Sequence, residues 1–102
     1  GLHEEALREA ERILRQGFAS ADLHVQMARD HLALGRTEEA LEDLLKAEAL
    51  DAAYAPTFYW LGQVYRRMGR KNKARSAWSR YLERTGQGES TSAQGQDPGV
   101  AP

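Results

Sequence analysis

The chain has no cysteine, only three prolines, and no apolar run long enough to span a bilayer. Without cysteine there are no disulfides, no thiolate nucleophile and no zinc–thiolate site. A membrane helix needs about 20 consecutive apolar residues, and nothing here approaches that. Aromatics are few at 8%. No stretch alternates with period two, so no strand is expected. No glycine pattern follows a strand, which leaves a phosphate loop unsupported. No secretory leader is visible. The compartment stays open, with the cytoplasm favoured over the periplasm.

What remains is 102 residues of ordinary soluble composition, 41% hydrophobic and 28% charged, with a net charge of −1. That length fits one small domain. The small net charge hides a polarity. Residues 21–52 carry a net −5 and residues 53–84 a net +7. The basic run is Arg66, Arg67, Arg70, Lys71, Lys73, Arg75, Arg80 and Arg84.

The strongest signal is a period of 34. "GLHEEAL" at Gly1, "GRTEEAL" at Gly35 and "GRKNKAR" at Gly69 repeat one phrase. At the same spacing Ala28 falls under Gly62, His31 under Tyr65, Ala40 under Ala74 and Leu44 under Trp78. A fixed period of this length indicates a repeat architecture. Within each unit the apolar residues recur at helical spacing: Met27, His31 and Leu34, then Leu41, Leu44 and Leu45, then Phe58, Leu61, Tyr65 and Met68, then Ala74, Trp78, Tyr81 and Leu82. Gly35 and Gly69 sit where a left-handed residue ends a helix at little steric cost. Thr37 and Ser20 read as helix starts, and Pro56 falls in a first turn where its missing N–H is not needed. Helices are expected near 3–16, 21–34, 37–50, 55–68 and 71–84. The Gly-, Ser- and Gln-rich residues 87–102 are expected to be a flexible tail.

The stretch "APTFYWLGQVYRRMGRKNKARSAWSRYL" resembles a tetratricopeptide repeat. Its marks are Phe58, Leu61, Gly62 and Tyr65, then Ala74, Trp78 and Tyr81. The unit before it matches less closely, with His24, Met27, Ala28 and His31 at the corresponding places. The resemblance implies an all-α fold of five helices, with antiparallel hairpins stacked as a short right-handed solenoid. Residues 1–18 would be the second helix of a partial repeat, and 19–52 and 53–86 two full repeats. Gly62 and Ala74 would mark the close crossing within a hairpin. The chain would open at a bend, leaving one apolar flank of the first helix uncovered. That flank is expected either to contact another molecule or to mark the edge of a cut piece.

The resemblance also implies a concave groove lined by the first helix of each hairpin. Carried over residue by residue, its lining is Asp22, Val25, Arg29, Leu32 and Ala33, then Pro56, Tyr59, Gln63, Arg66 and Arg67, with Tyr54 at the rim. The expected role is a non-catalytic scaffold binding a protein or peptide, with an acidic partner suited to the arginines. Proteins of this kind serve bacterial secretion, pilus or envelope assemblies. Trp60 is expected to wedge between hairpins or stand exposed beside Tyr59. Two other readings remain. Self-association would run through the solenoid ends, and the acidic face of Glu38, Glu42 and Asp43 could then meet the basic hairpin of another copy. Nucleic acid is disfavoured, because Tyr65, Trp78 and Tyr81 fall on core positions. No cofactor is expected. No metal is expected either, since His24 and His31 lie two turns apart on one helix, about 10 Å of rise, and read as packing histidines. No catalytic set can be assembled.

Overall fold

The computed structural model describes residues 1–86. Among these there are five α-helices and no strand: α1 (Leu2–Arg15), α2 (Ala21–Ala33), α3 (Thr37–Leu50), α4 (Ala55–Arg67) and α5 (Lys71–Thr85). Each expected boundary lies within a residue of the observed one. The expected tail, 87–102, lies outside the described residues.

The bends follow from local chemistry. Gly17, Gly35 and Gly69 adopt φ of 91°, 78° and 76°. At Gly35 the turn closes with Arg36 N–H donating to the His31 carbonyl at 2.8 Å and Gly35 N–H to the Leu32 carbonyl at 3.0 Å. Arg70 and Gly69 repeat this pair of bonds on Tyr65 and Arg66. The doubled bond satisfies carbonyls that the helix end would otherwise leave free. Ser20 caps α2, its hydroxyl accepting from the Leu23 N–H at 3.0 Å. Thr37 does not cap α3. Arg36 holds that position without a side-chain bond, because the chain turns into the helix directly after the glycine bend.

α2 pairs with α3 and α4 with α5 as antiparallel hairpins, and α2 also lies against α4. The main core runs through both hairpins and includes Val25, Ala28, Leu32, Leu44, Phe58, Leu61 and Val64. A smaller cluster of Leu7, Ala10 and Met27 seats α1 on α2. The His3–Asp30 pair at 2.7 Å and the Arg36–Glu4 pair at 3.5 Å add to it. Leu14 packs against this cluster, half-buried; outside it Ala6 is exposed, Ile13 is half-buried, and Leu2 and Phe18 face solvent. No described helix is long and apolar enough to cross a membrane.

The close crossing of the second hairpin differs in detail from the expectation. Gly62 is buried because the Trp78 indole lies across it, and a Cβ there would run into that ring. Ala74 is also buried. In the first hairpin the corresponding pair is Ala28 and Leu44, both fully buried. One hairpin sets a small ring-free residue against a medium one, the other no side chain against a large one.

A second difference concerns Asp43. It is not part of an exposed acidic face but is 6% exposed, packed under α2. His31 Nδ1 lies 2.7 Å from one carboxylate oxygen and His24 Nδ1 3.8 Å from the other. The two histidines are separated along the helix, yet their rings converge on one acceptor. Burial pushes the Asp43 carboxyl above its ordinary range, outweighing the His31 hydrogen bond and the nearby charges of His31, His24 and Lys46. At a spacing of 34 this trio coincides with Phe58, Tyr65 and Ala77 of the second hairpin.

Candidate interaction groove

α2 and α4 lie side by side, and their facing ridges enclose a cleft of about 410 Å³. Its floor and walls come from helix positions three and four apart. Gln26, Arg29, Asp30 and Ala33 face it from α2, and Trp60, Gln63, Arg66 and Arg67 from α4. His3 closes one end from α1.

The cleft is electropositive. Arg29 lies over the Trp60 ring at 5.1 Å from its centroid, an attraction between a cation and the negative face of the indole. Arg66 donates to the Gln63 side-chain oxygen at 3.4 Å, and Arg67 to the Leu32 backbone carbonyl at 3.4 Å. Among the described residues none of these three guanidiniums has a carboxylate partner. The one carboxylate lining the cleft, Asp30, is engaged by His3.

A second cavity of about 240 Å³ adjoins it, lined by Pro56, Tyr59, Trp60 and Tyr81. Tyr59 meets Trp60 edge-on with ring centroids 5.1 Å apart, and Tyr81 at 5.6 Å. Trp60 is half-buried and forms a wall of both cavities. It neither wedges fully between the hairpins nor stands free.

The groove positions taken from the resemblance separate into three groups. Arg29, Ala33, Gln63, Arg66 and Arg67 line the cleft, and Pro56 and Tyr59 the aromatic cavity. Val25 lines neither cavity, and both it and Leu32 are core residues, 4% and 5% exposed; Leu32 still belongs to the cleft lining, where its carbonyl accepts from Arg67. The cause is geometric. α2 has the first helix of the following hairpin, α4, against it, whereas among the described residues no further hairpin lies against α4 in the same way. The matching positions on α4, Tyr59 and Arg66, are therefore open. Asp22 and Tyr54 line neither cavity. The Tyr54 hydroxyl donates to Asp22 at 2.6 Å, tying the start of α2 to the turn before α4. That bond is the first cause holding the Tyr54 phenol above its ordinary range, with burial and the Asp22 charge adding to it. Gln26 and Asp30 were missed by the sequence reading, although Gln26 lies one turn from Arg29 and helical spacing alone points to it. His3 carries no such signal, since it arrives from another helix.

The basic run is partly spent inside the molecule. Arg80 pairs with Glu48 at 3.4 Å, and Arg84 donates to the Ala52 carbonyl at 2.7 Å. Tyr65, Trp78 and Tyr81 are half-buried. Among the described residues no group of three histidine or carboxylate side chains is placed to hold a metal ion.

Comparison with known proteins agrees with this architecture. A family model described as TPR repeat matches residues 28–69, and one described as tetratricopeptide repeat matches residues 55–84. No curated protein sequence matches the chain. Among solved structures, the crystal structure of MamA is similar, with a TM-score of 0.76 and 26% identity. The alignment covers 81% of this chain and 48% of that one, so the chain spans about half the length of MamA. Taken together, the two repeat models run from Ala28 to Arg84, over more than half of the sequence, and the chain belongs to the tetratricopeptide repeat family.

Proposed function

We propose that this chain is a non-catalytic scaffold whose α2–α4 cleft takes up an acidic segment of a protein partner. Tetratricopeptide repeats support protein–protein interaction as the general role. The observation that carries the finer reading is the convergence of Arg29, Arg66 and Arg67 on one cleft, none of them paired with a described carboxylate and the cleft's own Asp30 held by His3. Unpaired guanidiniums are ready to form charge-assisted, bidentate bonds to carboxylates. Charge of one sign in a cleft also steers an oppositely charged partner towards it. A bacterial multiprotein assembly remains the setting that the family resemblance favours.

The test is a titration of a labelled decapeptide alternating Asp and Ser, against one alternating Arg and Ser. The acidic peptide binds and the basic one does not. Arg29→Glu with Arg66→Glu weakens the acidic peptide by at least about tenfold, equivalent to about 1.4 kcal/mol. Equal binding by the double variant would remove the cleft from the reading.

The two other readings have lost support. Self-association through an acidic face loses Asp43, which is buried, while Arg80 and Arg84 are already engaged within the chain. Nucleic-acid binding through the basic hairpin loses the same two arginines.

A further inference from the structure

The cleft and the aromatic cavity are joined, and the joint constrains what fits. On α4, Tyr59, Gln63 and Arg66 form one ridge. The Gln63 amide nitrogen donates to the Tyr59 hydroxyl at 3.2 Å, and Arg66 donates to the Gln63 oxygen at 3.4 Å. This chain of bonds runs from the aromatic cavity into the cleft and holds both ends in place before any partner arrives. Trp60, one residue from Tyr59, is the wall between them. Tyr59 is 37% exposed, a large apolar surface left in water.

We propose that the partner segment carries a carboxylate and an aromatic or bulky aliphatic side chain two positions apart, one for each cavity. The proposal rests on the reading of the cleft as the binding site and goes beyond it in naming the second contact. The spacing follows from the shared wall. Cavities on either side of a single indole take neighbouring side chains from one side of an extended chain. Those are residues i and i+2, about 6.6 Å apart.

The charge around the aromatic cavity decides against a cationic occupant. Three aromatic rings could in principle hold an ammonium group. However, Arg29 already sits on the Trp60 ring that walls this cavity. A further cation would enter a field of its own sign. An uncharged ring or branched aliphatic group meets no such penalty and gains from leaving water. Nucleic acid also offers an anion beside a ring. It is disfavoured because its phosphates recur at every nucleotide, while the unpaired arginines here gather at one cleft and not along the aromatic side.

The experiment compares labelled octapeptides by fluorescence anisotropy with the full chain. One contains Asp-Ser-Phe in a Ser/Gly background, a second Asp-Ser-Ser, a third Asp-Phe-Ser and a fourth Asp-Ser-trimethyl-lysine. An octathymidine is the fifth probe. Asp-Ser-Phe is expected to bind about tenfold more tightly than Asp-Ser-Ser, the gain from burying one ring. Tyr59→Ala, checked by circular dichroism for intact helices, should abolish that difference, so that on this variant Asp-Ser-Phe binds no more tightly than Asp-Ser-Ser. Arg66→Glu should weaken both peptides. Equal binding of Asp-Ser-Phe and Asp-Ser-Ser overturns the two-contact proposal and leaves the acidic-cleft reading standing. Asp-Phe-Ser matching Asp-Ser-Phe overturns the spacing. Tighter binding of the trimethyl-lysine peptide or of octathymidine overturns the chemistry assigned to the aromatic cavity. If no acidic peptide binds, the proposal and the reading beneath it both fall.

Discussion

At Asp43 a carboxylate is buried between two imidazoles, and the burial outweighs both in setting its proton affinity. The folded chain therefore holds this proton more tightly than the unfolded chain does. The stability this brings is complete below the unfolded pKa, near pH 4, and is lost as pH rises through the raised folded value. Buried ionic groups are often less stabilising than well-packed apolar ones of the same size, by about 1–4 kcal/mol. The second hairpin supplies the apolar set at the matching places. Replacing His24, His31 and Asp43 by Phe, Tyr and Ala together should raise urea-derived stability at pH 7 by about that amount. The gain should shrink as the pH falls towards 4. Asp43→Ala alone should be destabilising, since it strips His31 of its acceptor and leaves a hole. A gain from the triple variant that does not change with pH would show that the carboxylate is not responsible. In the sequence Asp43 looks no different from Glu42 beside it. Only its alignment with Ala77, 34 residues on, hints that the position is interior.

For the helices, most of the architecture was readable, because spacing and bends are local properties. Apolar residues at three and four, together with glycines that must adopt positive φ, set all five segments. What spacing does not reveal is how far each helix is covered by its neighbours. That is why Val25 and Leu32 read as groove residues while lying in the core, and why Trp60 needed the α2–α4 packing to be placed. The close crossing in the second hairpin makes a prediction at this scale. Gly62→Ala gains about 1 kcal/mol in helix propensity, but the new Cβ collides with the Trp78 indole. Three atoms of the ring are involved, so the side chain must move as a whole. Overpacking of this kind costs about 1–3 kcal/mol, and a net loss of stability is expected. Trp78→Leu in the same chain should recover much of that loss, since the first hairpin already packs Ala28 against Leu44. Strict additivity of the two changes in a double-mutant cycle would contradict the assigned contact.

For the molecule as a whole, the acidic first hairpin and the basic second hairpin lie in contact, and part of their complementarity is consumed at that contact. Arg80 reaches Glu48, and Arg84 reaches the turn at Ala52. The charge left for a partner is therefore concentrated in the cleft. Repeat arrays fold from whichever unit forms first, each later unit adding to a surface already built. The two hairpins here are unequal starting points. The second closes over Phe58, Tyr65 and Ala77, whereas the first must strip water from a carboxylate and two imidazoles before its helices can meet. Folding should therefore begin at α4–α5 and travel towards the N-terminus, with α1 docking last. Stopped-flow kinetics of Val64→Ala should give a φ-value in the range of about 0.5–0.8 typical of a nucleus, and Leu7→Ala about 0–0.3. The reverse order would place the starting point in the first hairpin. A difference of three side chains between two otherwise parallel units thus gives the assembly of this chain a direction in time.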